Sequence, residues 1–190
     1  MEIDMPPKIK ITKEDIIKTA VGLVRKNGTG AVNARAIAAE LNCSTQPVFS
    51  NFATMDELQE AVINAAYDIY LDFLKNEAEN GKYPQYKAFG MAYIRFAEEE
   101  KELFKFLFMR DRKGRELVPS PDFTASVEII MKANSVTREK AELMHLEMWS
   151  CVHGIGTMLA TSFLSLDSEL ISEMLTDIYQ GIRVRHLPKE

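Results

Sequence analysis

Residues 33–52 read NARAIAAELNCSTQPVFSNF. Within this stretch Ala34 to Leu41 carries Ile37 and Leu41 one helical turn apart, so both face the same side. Asn42, Cys43 and Ser44 interrupt the pattern. A second helical segment is predicted to start at Ser44, a residue type favoured as an N-cap, with Val48, Phe49 and Phe52 as its apolar anchors. Two short helices joined by a turn of three to four residues form a helix-turn-helix. In that unit the second helix enters the DNA major groove and offers its first residues to base edges. Here those residues are Thr45, Gln46 and Pro47.

The flanking sequence supplies helices for this unit to rest on. Thr12-Lys13-Glu14-Asp15 has the form of a capping box, and the helix it opens is expected to run to about Lys26. Its apolar face is Ile16, Ala20, Leu23 and Val24, and Asn27-Gly28-Thr29-Gly30 closes it. Thr54-Met55-Asp56-Glu57 is a second capping box. It opens a long helix with a face of Leu58, Val62, Ala65, Ile69 and Phe73, fading near Glu79-Asn80-Gly81. Ahead of all this, Lys8-Ile9-Lys10 forms a short basic arm after two prolines.

Three stretches, TKEDIIKTAVGLVRKNG, NARAIAAELNCSTQPVFSNF and ATMDELQEAV, resemble in order and spacing the DNA-binding head of the tetracycline-repressor (TetR) family of transcriptional regulators. The resemblance runs from Thr12 to about Val62. It implies an all-α homodimer in which each subunit has a three-helix DNA-binding head and a larger helical body that binds a small-molecule effector and dimerises. It also implies a phosphate contact for Arg35. Three positions depart from the family pattern. Phe49 stands where Tyr is usual, Met55 where Lys is usual, and Asn51 where His or another polar residue is frequent. The first two departures remove phosphate partners, which lowers non-specific affinity and flattens its salt dependence. The expected DNA-binding set is Arg35, Thr45, Gln46, Pro47, Phe49, Ser50 and Asn51. Gln46 is the best base reader, because Gln can bond adenine through two hydrogen bonds.

Composition agrees with a head on a larger body, divided at residues 58 and 59. The chain has 190 residues, 46% of them hydrophobic, and a net charge of −5. Lysine and arginine balance the acids from residue 1 to 58, so the acidic excess lies in the body. No apolar run approaches the roughly 18 residues needed to span a bilayer, and the N-terminus lacks a secretory signal. A soluble cytoplasmic chain with no membrane partner is expected, with Cys43 and Cys151 as free thiols.

The body is read as further amphipathic helices. Pro84 opens one, with Tyr86, Phe89, Tyr93 and Phe96 along one side. Glu98 to Glu102 is a solvated break, and Leu103 to Met109 is dense in aromatics. Arg110 to Arg115 is a charged loop. Ser120-Pro121 starts another helix, with Phe123, Val127, Ile130 and Met131 as its stripe. Thr137 caps the longest pattern, Arg138 to Ser165, whose face includes Leu146, Trp149, Val152, His153, Gly156, Leu159, Ala160 and Phe163. Asp167 caps the last helix, with Leu170, Ile171, Met174, Leu175, Ile178 and Ile182. Gly154 and Gly156 inside a helix cost about 1 kcal/mol each relative to Ala, which close packing of a neighbour or ligand offsets. The resemblance implies that the last two helices pair with their copies in a four-helix bundle.

Chemistry-bearing motifs are sparse. No phosphate-binding loop, dinucleotide fingerprint, zinc-spaced cysteine pair or nucleophile elbow occurs. No catalytic residue, metal site or cofactor is expected. His145, Cys151 and His153 do not make a tetrahedral set. His153 reads either as a satisfied core histidine or as a polar group in a ligand cavity. The expected ligand lining is Tyr93, Phe104, Phe108, Trp149 and His153. The functional expectation is a repressor released from its DNA operator by a small, largely apolar ligand. Its rivals are a helical interaction protein that has lost operator binding and a small helical enzyme.

Overall fold

The computed structural model describes residues 11–111 and 120–187, and every described regular element is helical. The basic arm at Lys8 to Lys10, and most of the charged loop at Arg112 to Arg115, lie outside the described residues. Helix α1 spans Lys13–Asn27, α2 Ala34–Glu40, α3 Gln46–Asn51 and α4 Met55–Glu79. Then follow α5 Gln85–Glu99, α6 Lys101–Phe108, α7 Pro121–Asn134, α8 Arg138–Ala160 and α9 Ser168–His186.

Local chemistry sets the helix ends in the head. The Thr12 hydroxyl accepts from the Asp15 amide at 3.1 Å, and the Asp15 carboxylate accepts from the Thr12 amide at 3.0 Å. The capping box is therefore complete on both sides. Asn33 caps α2 by accepting from the Ala36 amide at 2.9 Å. Asn42 ends α2 in the left-handed region, at φ 51°. Its amide bonds the Ala39 carbonyl and the Cys43 amide bonds the Ala38 carbonyl, the paired bonds of a Schellman stop. Helix α3 begins one residue later than expected: Thr45, not Ser44, is its N-cap. The Thr45 carbonyl accepts the first bonds of the helix, from the Val48 and Phe49 amides. Val48 and Phe52 are buried and fasten α3 to the core. Phe49 is no anchor, being 54% exposed.

The long helix α4 carries the chain out of the head. Its buried ridge is Leu58, Val62, Ala66, Tyr70, Leu74 and Glu77. Ala65, Ile69 and Phe73 sit one residue off this ridge and are only half-buried. Glu77, 8% exposed, is held by Arg95 of α5 at 2.6 Å. In the body α5 packs between α4 and α8, α7 lies on α8, and α9 covers α8 and α5. Pro84 is the N-cap of α5, just outside the helix. Helix α8 stops at Ala160, short of the expected Ser165. Ser162 takes a left-handed conformation, at φ 56°, and the Phe163 amide closes onto the Met158 carbonyl. The buried face of α8 runs through Ala141, Met144, Met148, Val152, Ile155, Gly156 and Leu159. Leu146, Trp149 and Phe163, expected on that face, are exposed.

One hydrophobic core runs from Ile16 and Phe52 in the head to Ile171 and Leu175 in α9, and a smaller cluster joins Val127 and Ile130 to Ala141 and Met144. Head and body are also bolted by charge. Arg25 of α1 forks onto the Glu100 carboxylate at 2.7 and 2.9 Å, where α5 breaks into α6. The acidic run is thus a break, as expected, but it is also engaged: Glu99 pairs with Arg95 at 3.5 Å and Glu102 with Lys105 at 2.6 Å, beside the Arg25–Glu100 pair. Nearby, Gly28 turns the chain at φ 79°, and a Cβ there would lie 2.9 Å from the Glu102 carboxylate.

The two glycines of α8 differ. A Cβ on Gly156 would lie 3.2 Å from the Phe104 ring and 3.3 Å from the Ala97 Cβ, whereas one on Gly154 meets nothing within 4 Å. Gly156→Val is expected to destabilise the fold by about 1–3 kcal/mol through overpacking. Gly154→Ala should be neutral, or stabilising by up to about 1 kcal/mol through helix propensity. Thermal melts of the two variants check this, and a Gly156→Val protein as stable as the parent would contradict the close approach.

Candidate DNA interface and aromatic cluster

The outer face of the helix-turn-helix is built by what its inner face buries. Ile37, Val48 and Phe52 enter the common core. Arg35, Gln46, Phe49 and Ser50 are left exposed, and Thr45, Pro47 and Asn51 half-buried. Two of these side chains are occupied locally: the Ser50 hydroxyl donates to the Gln46 carbonyl at 2.9 Å, and the Asn51 amide donates to the Pro47 carbonyl at 2.8 Å. Positive charge is scarce on this unit. No lysine or arginine occurs from residue 36 to residue 74. Lys13 is paired with Glu57 at 3.1 Å and Lys26 with Glu40 at 2.8 Å. Arg35 is the cation that the helix-turn-helix itself presents.

A second concentration of chemistry lies in the body. Tyr70 of α4, Tyr93 and Phe96 of α5, and Phe104 and Phe108 of α6 pack ring against ring. Their centroids are 4.9 Å apart for Tyr93 and Phe108, 5.2 Å for Tyr70 and Phe108, and 5.4 Å for Tyr93 and Phe104. The Tyr93 hydroxyl is 2.8 Å from His153 Nδ1. His153 stacks on Trp149, with centroids 4.9 Å apart and planes at 17°. All five residues expected to line a ligand site are therefore neighbours. The cluster is closely packed: Phe104 is fully buried, while Trp149 is 39% exposed. Two open surface grooves lie away from it, one of about 300 Å³ between α1 and α4 and one of about 430 Å³ at residues 98–102.

The search of solved structures returns long matches at low identity. A protein of unknown function from Rhodococcus sp. RHA1 has TM-score 0.69 and 17% identity, covering 97% of this chain and 100% of that one. A TetR-like transcriptional regulator from the same organism has TM-score 0.57 and 16% identity, covering 95% and 97%. A TetR-family protein from Vibrio parahaemolyticus has TM-score 0.63 and 12% identity, covering 88% and 96%. The chain has the TetR-family fold. No family model matches the sequence, and no curated protein matches it.

Within this TetR fold the body holds polar groups that the sequence reading passed over. Tyr67 and Tyr70 both donate to Asp122, in the first turn of α7; the Tyr70 bond is 3.2 Å. Tyr86 pairs with His145 at 3.0 Å, and Phe123 lies edge-on to that imidazole. The spacing of three between Tyr67 and Tyr70 was the available signal for the first pair. It was missed because the apolar face of α4 was placed one residue away. Among the described residues no group of three His, Cys, Asp or Glu is placed to hold a metal ion, and no helix is long and apolar enough to cross a membrane.

Burial sets the proton affinities here. It pushes the phenols of Tyr70 and Tyr93 well up, and the Asp122 charge adds to this. Burial holds His153 below the usual 6.5, and His145 too, where Asp122 opposes it. A histidine lowered in the folded state binds its proton more readily when unfolded. Its contribution is thus intact above 6.5 and is lost as the pH falls from 6.5 toward the folded value. Stability should decline on acidification through this window. Urea midpoints at pH 7.5 and 5.5 test it, and a higher midpoint at 5.5 would contradict the burial of both rings.

Proposed function

We propose that this protein is a DNA-binding transcriptional repressor that works as a homodimer and leaves its operator when a small, largely apolar ligand binds the body. The observation that carries the reading is the exposed start of α3, with Gln46 and Phe49 outward over buried Val48 and Phe52, in a chain with the TetR-family fold. In this reading residues 1–58 form the DNA-binding head and residues 59–190 the ligand-binding and dimerisation body, acting in the cytoplasm without catalysis. Gln46, with Thr45 and Pro47 beside it, reads bases; Arg35 meets phosphate; Phe49, Ser50 and Asn51 complete the contact. Support for dimerisation comes from exposed Leu143 and Leu146 on α8 and exposed Leu170 and Val184 on α9. Apolar side chains left outward on the two C-terminal helices suit a partner surface. Support for a ligand comes from the contiguous rings of Tyr93, Phe104, Phe108 and Trp149 beside His153.

Population shift links the two ends. A ligand that binds better to the state with wrongly spaced heads disfavours the DNA-bound state. The test is binding of the purified protein to duplex from upstream of its own coding region, and to scrambled duplex, alongside sedimentation. A dimer that prefers the upstream duplex supports the reading. The scarcity of cations from residue 36 to 74, with Asp56 and Glu57 opening α4, favours one other reading: a helical interaction protein of the same fold. Failure to bind any duplex at low salt would put that reading first.

A further inference from the structure

Helical spacing sets the outward side of α3. Val48 and Phe52, four apart, are buried, and Gln46, Phe49 and Ser50 share the opposite, exposed side. Phe49 is the largest of the three and is 54% open to solvent. Of the ten phenylalanines only Phe163, in the turn after α8, is exposed with it among the described residues. The neighbouring polar groups are turned onto the helix itself: the Ser50 hydroxyl donates to the Gln46 carbonyl, and the Asn51 amide to the Pro47 carbonyl. From Leu41 to Met55 the sequence holds no charged residue. The outward side of α3 is thus an uncharged surface with a phenyl ring at its centre.

Such a surface suits one group on the floor of the major groove. The base edges there are hydrogen-bond donors and acceptors, with the C5-methyl of thymine as the apolar exception. A phenyl ring set over a donor or acceptor strips it of water and returns no bond. Set over a methyl group, the ring takes apolar surface out of water on both sides. A tyrosine in this place would offer a hydroxyl to a phosphate, and phenylalanine has none. The methyl of 5-methylcytosine stands on the same ring carbon as that of thymine, so the two bases share the feature that the ring can use.

We propose that Phe49 selects a C5-methylated pyrimidine in each half of the operator, next to the base read by Gln46. The proposal rests on the DNA-binding reading above and adds the chemical group that α3 selects. Residues three apart on a helix are separated by about 4.5 Å along its axis, between one and two base steps of about 3.4 Å. The methylated pyrimidine therefore falls within about two base pairs of the adenine taken by Gln46. Because the contact is apolar, its strength does not fall with salt as a phosphate contact does.

The test uses the full chain and a duplex that it selects from a randomised library. The duplex is remade with deoxyuridine for thymidine, which removes the C5-methyl and keeps every hydrogen-bonding group of the base. The loss of one buried methyl corresponds to about fourfold in affinity, so two half-sites should give about fifteenfold. Phe49→Ala should bind the two forms alike, and Phe49→Tyr, which keeps the ring, should still separate them. Phe49→Gln takes the place of Phe49→Ala should that variant not fold. A second pair of duplexes carries cytosine or 5-methylcytosine at the thymine position. Tighter binding of the methylated one assigns both bases to the site, and equal binding assigns thymine alone. Equal affinity of the parent for the thymidine and deoxyuridine forms overturns the proposal and leaves DNA binding in place. So does a Phe49→Ala protein that separates them as the parent does. Failure to select any duplex overturns the regulator reading and this proposal together.

Discussion

Phe104→Ala is expected to lower the stability of the fold by about 3–5 kcal/mol, the range for a buried aromatic cut back to a methyl group. Phe104 is fully exposed to neighbours and not at all to water. Its ring meets Tyr93 and Phe108, each at 5.4 Å, and His153 at 5.9 Å, and it fills the space that Gly156 leaves. Helix α6 has eight residues, too few to hold itself in water. Leu103, Phe104 and Phe106, all buried, are what fix it between the head and α8. Against a typical total of about 5–15 kcal/mol, the loss would be a large fraction. Urea unfolding followed by far-ultraviolet circular dichroism measures it. A loss below about 1 kcal/mol would mean that the cluster is not packed as described.

On DNA the effects should divide by chemistry. Gln46→Ala should cost about 1–3 kcal/mol on the preferred operator and little on random duplex, because base contacts discriminate and phosphate contacts mainly position. Arg35→Ala should weaken both duplexes alike and reduce the salt slope by about one unit. The parent slope itself should be shallow, since each phosphate neutralised contributes about 0.9 and α2, α3 and the first five turns of α4 bring only Arg35. Met55→Lys, at the start of α4, should act in the opposite sense, tightening any duplex and steepening the slope. Binding to operator and scrambled duplex over a salt series separates these outcomes. An unchanged operator preference in Gln46→Ala would remove Gln46 from base reading.

The head was legible because its signals are local. Thr12, Asp15 and Thr54 act on amides three residues away, and the apolar face of α1 is buried as its spacing indicates. Where a stop depends on a residue other than glycine, the sequence is less open: Ser162 ends α8 in a left-handed conformation that serine seldom takes. Apolar spacing also misplaces a face when its ridge is made of alanine and tyrosine. That is why spacing points to Ala65 and Ile69 rather than to Ala66 and Tyr70. The site in the body was legible only in its aromatics. Asp122 meets Tyr67 across 55 positions; the spacing of Tyr67 and Tyr70 marks a shared face of α4 but not the partner that meets it.

Helix α4 has 25 residues, from the end of α3 to the middle of the body, with no break among them. At 1.5 Å per residue it is a rod of about 37 Å. Angles at one end of a rod become distances at the other. A tilt of about 5° at the body end moves Met55 by about 3 Å, close to the 3.4 Å rise of one base step. In a pair of subunits the two displacements add or cancel according to their symmetry. In the proposed dimer, a change of packing around Tyr70 too slight to alter any helix would therefore be enough, through such a rod, to put the two copies of α3 a base pair or more out of register with their half-sites.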